Sequence, residues 1–105
     1  MRSWTPLLIE ERVEANAVRL IVTGELDLAT RSLLRRRLYR ARDRAEQVHL
    51  DLSKLDFVDA AGAGMLIRAL GDSRHHDWHL EIEPELAPQV AKVFDLTGLE
   101  PYLNP

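Results

Sequence analysis

Apolar and polar residues alternate in four stretches of this chain and recur at helical spacing in three. Val48, Leu50 and Leu52 alternate with His49, Asp51 and Ser53, the period-two pattern of a strand with one buried face. Trp78, Leu80 and Ile82 do the same against His79, Glu81 and Glu83, until Pro84 stops the run. Two earlier strands, Leu7 to Val13 and Val18 to Thr23, flank the turn Glu14-Ala15-Asn16-Ala17, where Asn16 tolerates left-handed backbone, and should pair as a hairpin. Gly24 is expected to end the second strand.

The helical stripes fall between and after these strands. Leu34, Leu38, Ala41 and Ala45 stand at i, i+4, i+7 and i+11, with Leu33 beside them and Asp27 as the natural N-cap. Past Ser53 the alternation breaks, and Leu55, Phe57 and Val58 read as an apolar bend that delivers Asp59 to the start of a second helix. Asp59 is a good N-cap, because its carboxylate accepts from backbone N–H groups two or three residues on. Met65, Leu66, Ala69 and Leu70 form that helix's core stripe, which fades from Gly71 to Asp77. Pro88 suits the first turn of a third helix, with Leu86, Val90, Val93 and Phe94 buried and Gly98 as C-cap. Leu99 to Leu103 reads as one last short turn.

The order is β-β-α-β-α-β-α. Strand–helix–strand units with short loops imply parallel pairing and right-handed crossovers, while the opening hairpin adds one antiparallel strand. The predicted fold class is therefore α/β, a mixed sheet with helices mainly on one face. The length of 105 residues fits one domain, 1–105, and no internal repeat or linker divides it.

Charge adds an asymmetry. The net charge is −3, yet seven of the 14 cations are arginines between Arg31 and Arg44, while Asp77 onward holds six acids and only Lys92. A nucleic-acid face requires a basic domain with converging aromatic or polar base readers, and here only Tyr39 is near, so the arginines read as a solvated helix face. There are no cysteines, which removes disulfides, thiolate metal sites and thiol nucleophiles. No apolar run approaches a membrane span and no signal-peptide pattern opens the chain, so the expected location is cytoplasmic.

Candidate chemistry centres on Asp59-Ala60-Ala61-Gly62-Ala63-Gly64. Two glycines in the first turns of a helix lower its propensity and let something approach the backbone, which makes this helix N-terminus the expected working surface. Asp27, Asp51, Asp56 and Asp59 are expected near the C-terminal edge of the sheet, where α/β folds bind ligands. A phosphoryl-transfer centre there needs adjacent acids after the first strand and a later Lys, and the opening hairpin argues against it. His75, His76 and His79 straddle a loop without carboxylate orienters and read as solvated rather than metal ligands. Ser53 lies in no G-x-S-x-G elbow. The chain is expected to be no enzyme and to hold no cofactor or metal.

Three segments carry a family resemblance. Gly24-Glu25-Leu26-Asp27, the run from Asp51 through Asp59 into Ala60-Ala61-Gly62-Ala63-Gly64, and Phe94-Asp95-Leu96-Thr97-Gly98-Leu99 resemble, in order and spacing, a STAS domain of the anti-sigma factor antagonist kind. The resemblance implies a small mixed sheet with helices packed mainly on one side. It also implies binding of an anti-sigma factor with kinase activity, which frees a sigma factor. In such antagonists a Ser or Thr directly after the Asp matching Asp59 is phosphorylated to end the complex; here that position is Ala60, followed by Ala61, so the switch is absent. Ser53, Thr30, Ser32 and Ser73 are the nearest hydroxyls and none occupies the matching site. The partner surface is expected at Asp59, Ala60, Ala61, Gly62, Ala63 and Gly64, flanked by Met65 and Ile67, with the edge carrying Glu25 and Asp27. The alternatives are a constitutive STAS subunit of a membrane transporter or lipid-transport ATPase assembly, which needs no phosphoswitch, or a stress-signalling scaffold component. Neither nucleic acid binding nor membrane insertion is expected.

Overall fold

In the computed structural model, which describes residues 7–99, the strands are β1 (Leu8–Glu14), β2 (Ala17–Leu26), β3 (Gln47–Val58) and β4 (His79–Ile82). The helices are α1 (Arg31–Arg42), α2 (Ala60–His75) and α3 (Pro88–Thr97). The element order is the one the hydrophobic pattern predicts. The sheet order is β1-β2-β3-β4, with β1 antiparallel to β2 and both other pairs parallel. Val18, Leu20 and Val22 of β2 and Val48, Leu50 and Leu52 of β3 are buried. They pack with Leu34, Leu38 and Ala41 of α1, Leu66, Ala69 and Leu70 of α2, and Val90 and Phe94 of α3 in one core cluster. His49, Asp51 and Ser53, which alternate with these on β3, remain only partly buried, so the helices cover one face. The short terminal turn expected at 99–103 lies outside the described residues beyond Leu99.

Two boundaries differ from the sequence reading, and both have one cause. β3 does not bend after Ser53 but continues to Val58, and β2 runs through Gly24 to Leu26. Along the pair, Ile21 faces Asp51, Thr23 faces Lys54 and Glu25 faces Phe57, so β3 gains one residue on β2 at each of two register shifts. Each extra residue moves the buried position by one, and the core side of β3 reads Leu50, Leu52, Leu55, Val58. The period-two signal is therefore lost where the strand is not. Gly24 lies at the second shift with φ 108°, backbone that a side chain disfavours.

The helix ends follow local chemistry. Asp27, expected as the N-cap of α1, does not hold that position; it is Thr30, whose side chain makes no cap bond. Asp27 instead organises the preceding turn. Its Oδ1 accepts from the N–H groups of Ala29 (2.9 Å) and Thr30 (3.0 Å), while Thr30 Oγ1 accepts from the Asp27 N–H at 3.0 Å. α2 does not fade at Gly71 but runs on to His75. Its last turn is held by Asp72, whose carboxylate accepts from Trp78 Nε1 at 3.0 Å and lies 2.9 Å from His76 Nδ1. α3 starts at Pro88 and ends at Gly98 in left-handed conformation, as predicted.

The Trp78 indole bond and the neighbouring His76 and Tyr39 hold the Asp72 carboxyl below its ordinary pKa despite some desolvation. A carboxyl depressed in the folded state stabilises above its unfolded pKa and loses that contribution as pH falls through the folded value. Melting temperature is thus expected to decline with acidification below about pH 4, and Asp72→Asn should flatten that part of the profile when both proteins are melted across the series.

Candidate functional site

The C-terminal ends of β2 and β3 lie side by side, with Glu25 facing Phe57 and Leu26 facing Val58. From there one chain end enters the loop before α1 and the other enters α2. Asp59 joins the two. Its backbone N–H donates to the Leu26 carbonyl at 3.1 Å. Its Oδ1 accepts from the Gly62 N–H at 2.8 Å, the N-cap bond predicted from sequence, and its Oδ2 accepts from the Leu28 N–H at 3.2 Å. One carboxylate thus caps α2 and fastens the loop before α1 across a sequence gap of 31 residues.

Gly62 completes the junction. A Cβ there would stand 2.7 Å from the Leu26 carbonyl oxygen and 2.8 Å from Leu26 Cγ, so the end of β2 occupies the space that the missing side chain leaves. The close approach that this glycine permits is made by the chain's own backbone. Gly64 is different, with only the Arg68 guanidinium within 4 Å of an added Cβ.

Burial sorts the sequence-predicted surface. Ala60 is exposed, and Asp59, Ala61, Gly64, Ile67, Glu25 and Asp27 are partly so. Gly62, Ala63 and Met65 are buried, because the first turn of α2 lies against the ends of the strands, and they support the surface from beneath. Two large apolar side chains that periodicity did not single out adjoin these residues along the chain: Leu28, after Asp27, is 65% exposed and Phe57, two residues before Asp59, 45% exposed. An apolar residue directly after an aspartate, with no stripe to join, was the available signal for both. Thr30 contributes the hydroxyl of the facing loop, but it is committed, donating to the Glu25 carbonyl at 2.8 Å.

The four aspartates do not gather as a group. Asp27 and Asp59 share this junction, and Asp56 precedes it, its carbonyl accepting from Gln89 Nε2 at 3.0 Å. Asp51 lies back along β3 opposite Ile21, its Oδ1 accepting from the Ser53 N–H at 2.9 Å. Desolvation pushes the Asp51 carboxyl up, but the Ser53 hydrogen bonds with Arg19 and Lys54 outweigh it and leave its pKa low. Among the described residues no group of three His, Asp or Glu side chains is arranged to hold a metal ion, and no helix is long and apolar enough to cross a membrane.

Comparison with known proteins follows the same outline. The sequence model of the family described as "Mlab, STAS domain" matches residues 9–104. No curated protein matches the chain. Among solved structures, the unphosphorylated anti-sigma factor antagonist SpoIIAA superposes with a TM-score of 0.74 at 20% identity, covering 90% of this chain and 84% of that one. An anti-sigma factor antagonist from Mycobacterium paratuberculosis gives 0.76 at 18% identity, covering 93% and 83%. The transporter SLC26A9 gives 0.68 at 13% identity over 80% of this chain and only 16% of its own. At these identities the likeness is one of fold.

Two substitutions separate the roles at the junction. Gly62→Ala should cost about 1–3 kcal/mol by forcing the Leu26 carbonyl aside, while Gly64→Ala should be neutral or stabilise by up to about 1 kcal/mol. Asp59→Ala, which removes both acceptors, should cost about 1–2 kcal/mol. Urea denaturation of the three variants beside the parent measures all of these, and an Asp59→Ala protein as stable as the parent would remove the carboxylate from its bridging role.

Proposed function

This chain belongs to the STAS domain family, and on that premise we propose that it is a non-enzymatic protein-binding module. In this reading it resembles an anti-sigma factor antagonist and docks on an anti-sigma factor of the kinase type, releasing a sigma factor. The contact surface is Ala60 with Asp59, Ala61 and Gly64, flanked by Ile67, Glu25 and Asp27 and extended by Leu28 and Phe57. The observation that supports the reading is the exposed Ala60 at the first turn of α2, directly after the Asp59 cap, with the exposed apolar Leu28 on the loop that Asp59 fastens. Small side chains there let a partner's backbone approach, and the positive end of α2 favours an acidic group on it.

The same residue removes the switch. A phosphate would add about −1.5 to −2 charge to this contact, beside Asp59, and oppose the complex. Alanine accepts none, so the module stays competent to bind and its abundance, or its partner's, sets the output. A second reading, a constitutive subunit of a membrane transporter or lipid-transport ATPase assembly, is favoured by that same missing hydroxyl. Both readings put the chain in the cytoplasm.

The test is affinity capture from the host's lysate with and without Mg-ATP, using the parent, Ala60→Asp and Ala60→Ser. A carboxylate at the first helical position suits the helix dipole, so Ala60→Asp should fold normally yet bind its partner at least about tenfold more weakly, roughly 1.4 kcal/mol. A kinase-like ATPase among the captured proteins, able to label Ala60→Ser, supports the antagonist reading; transporter subunits support the second. Parent-level capture by Ala60→Asp would place the interface elsewhere.

A further inference from the structure

The arginines of α1 and of the turn after it are not equally answered by other groups. Arg35 and Arg42 lie over the Tyr39 ring at 5.0 and 4.9 Å, and Arg42 also approaches Asp72. On the side toward β1, Arg37, Arg40 and Arg44 stand at i, i+3 and i+7. Together with Glu11 they line a cavity of about 310 Å³. Glu11 is ion-paired with Arg44. Among the described residues, Arg37 and Arg40 have no ion-pair or hydrogen-bond partner.

That arrangement is costly for a helix. Like charges three and four positions apart repel, and α1 itself, Arg31–Arg42, contains no acid to separate them. Arg37 lies mid-helix, away from the C-terminal turn where a cation answers the dipole. Three guanidinium groups against one carboxylate leave the cavity with about two positive charges at neutral pH. Guanidinium forks match the oxygens of a phosphate in geometry as well as charge.

We propose that the cavity bounded by Arg37, Arg40, Arg44 and Glu11 is a binding site for a phosphate-class dianion, either free or carried as the terminal phosphate of a larger molecule such as a lipid headgroup. The site lies on α1 and β1, apart from the α2 surface, and holds whichever partner that surface takes. Glu11 orients Arg44 and competes with the ligand for it, so neutralising Glu11 tightens binding. Because the groups are partly solvated, the affinity falls as salt rises.

The experiment uses the full chain at low ionic strength. Backbone amide NMR follows a titration with inorganic phosphate, and flotation compares phosphatidylcholine vesicles with and without phosphatidate. Saturable shifts at residues 11, 37, 40 and 44 would identify a free anion as ligand; phosphatidate-dependent flotation would identify the headgroup. In whichever assay responds, the Arg37→Gln/Arg40→Gln double variant should bind about tenfold more weakly or not at all, and Glu11→Gln should bind a few-fold more tightly. No response in either assay overturns the proposal, as does a response that survives the double variant unchanged.

Discussion

How the ends of β2 and β3 meet the helices that follow depends on how Asp59 is bonded. A helix start leaves four N–H groups without intrahelical partners, and the residue ahead of it is the usual place to answer one. Asp59 answers one with Oδ1 and uses Oδ2 on the Leu28 N–H of a different loop, while its own N–H returns to the Leu26 carbonyl. Leu26 is also the residue that Gly62 admits at 2.7 Å from where a Cβ would stand. The end of β2, the loop into α1 and the first turn of α2 are therefore one rigid joint.

The sheet supplies the frame for that joint through an irregularity. With parallel neighbours in perfect register, β2 and β3 would end together only if they had equal counts of residues. β3 carries two more than β2 over the paired stretch, and the two register shifts absorb them. Bulges of this kind increase twist and re-aim the residues that follow. Here they bring Val58 to the core beside Leu26 and leave Phe57 beside Glu25 at the surface. Without the second shift Phe57 would take a core position, and without either shift the core positions after Leu52 would fall to Lys54 and Asp56.

This explains what could be read from residue order. Elements whose signal is local were legible: Asp59 as a cap, Pro88 and Gly98 bracketing α3, and the stripe of Leu34, Leu38 and Ala41 each depend on neighbours within one or two turns. The continuation of β3 past Ser53 was hidden because its buried positions change from every second to every third residue, which resembles neither template. The role of Asp27 was hidden differently. Its carboxylate does accept from the N–H groups two and three residues on, as a cap would, but the turn that it closes precedes the helix proper. Leu28 and Phe57 belong to no stripe at all: the loop carrying Leu28 is held by a contact between residues 31 positions apart, and the facing of Phe57 follows from the second register shift.

The glycines at the site show how a residue type can be read correctly and its beneficiary wrongly. Gly62 and Gly64 both suggest a backbone laid bare for an incoming partner. Only the first has a neighbour close enough to require glycine, and that neighbour is Leu26 of the same chain. The exposed face of α2 is then left to Ala60, Ala61 and Gly64, a shallow surface with little shape of its own. Shallow small-residue surfaces gain specificity from what stands at their rim. Leu28, on the loop that Asp59 fastens, and Phe57, two residues before Asp59 on β3, are large exposed apolar residues that adjoin it along the chain. Under the proposed reading a partner meets the joint as a unit, so a change at Gly62, which is buried, would act on binding through the position of the loop and the first turn of α2 and not by direct contact.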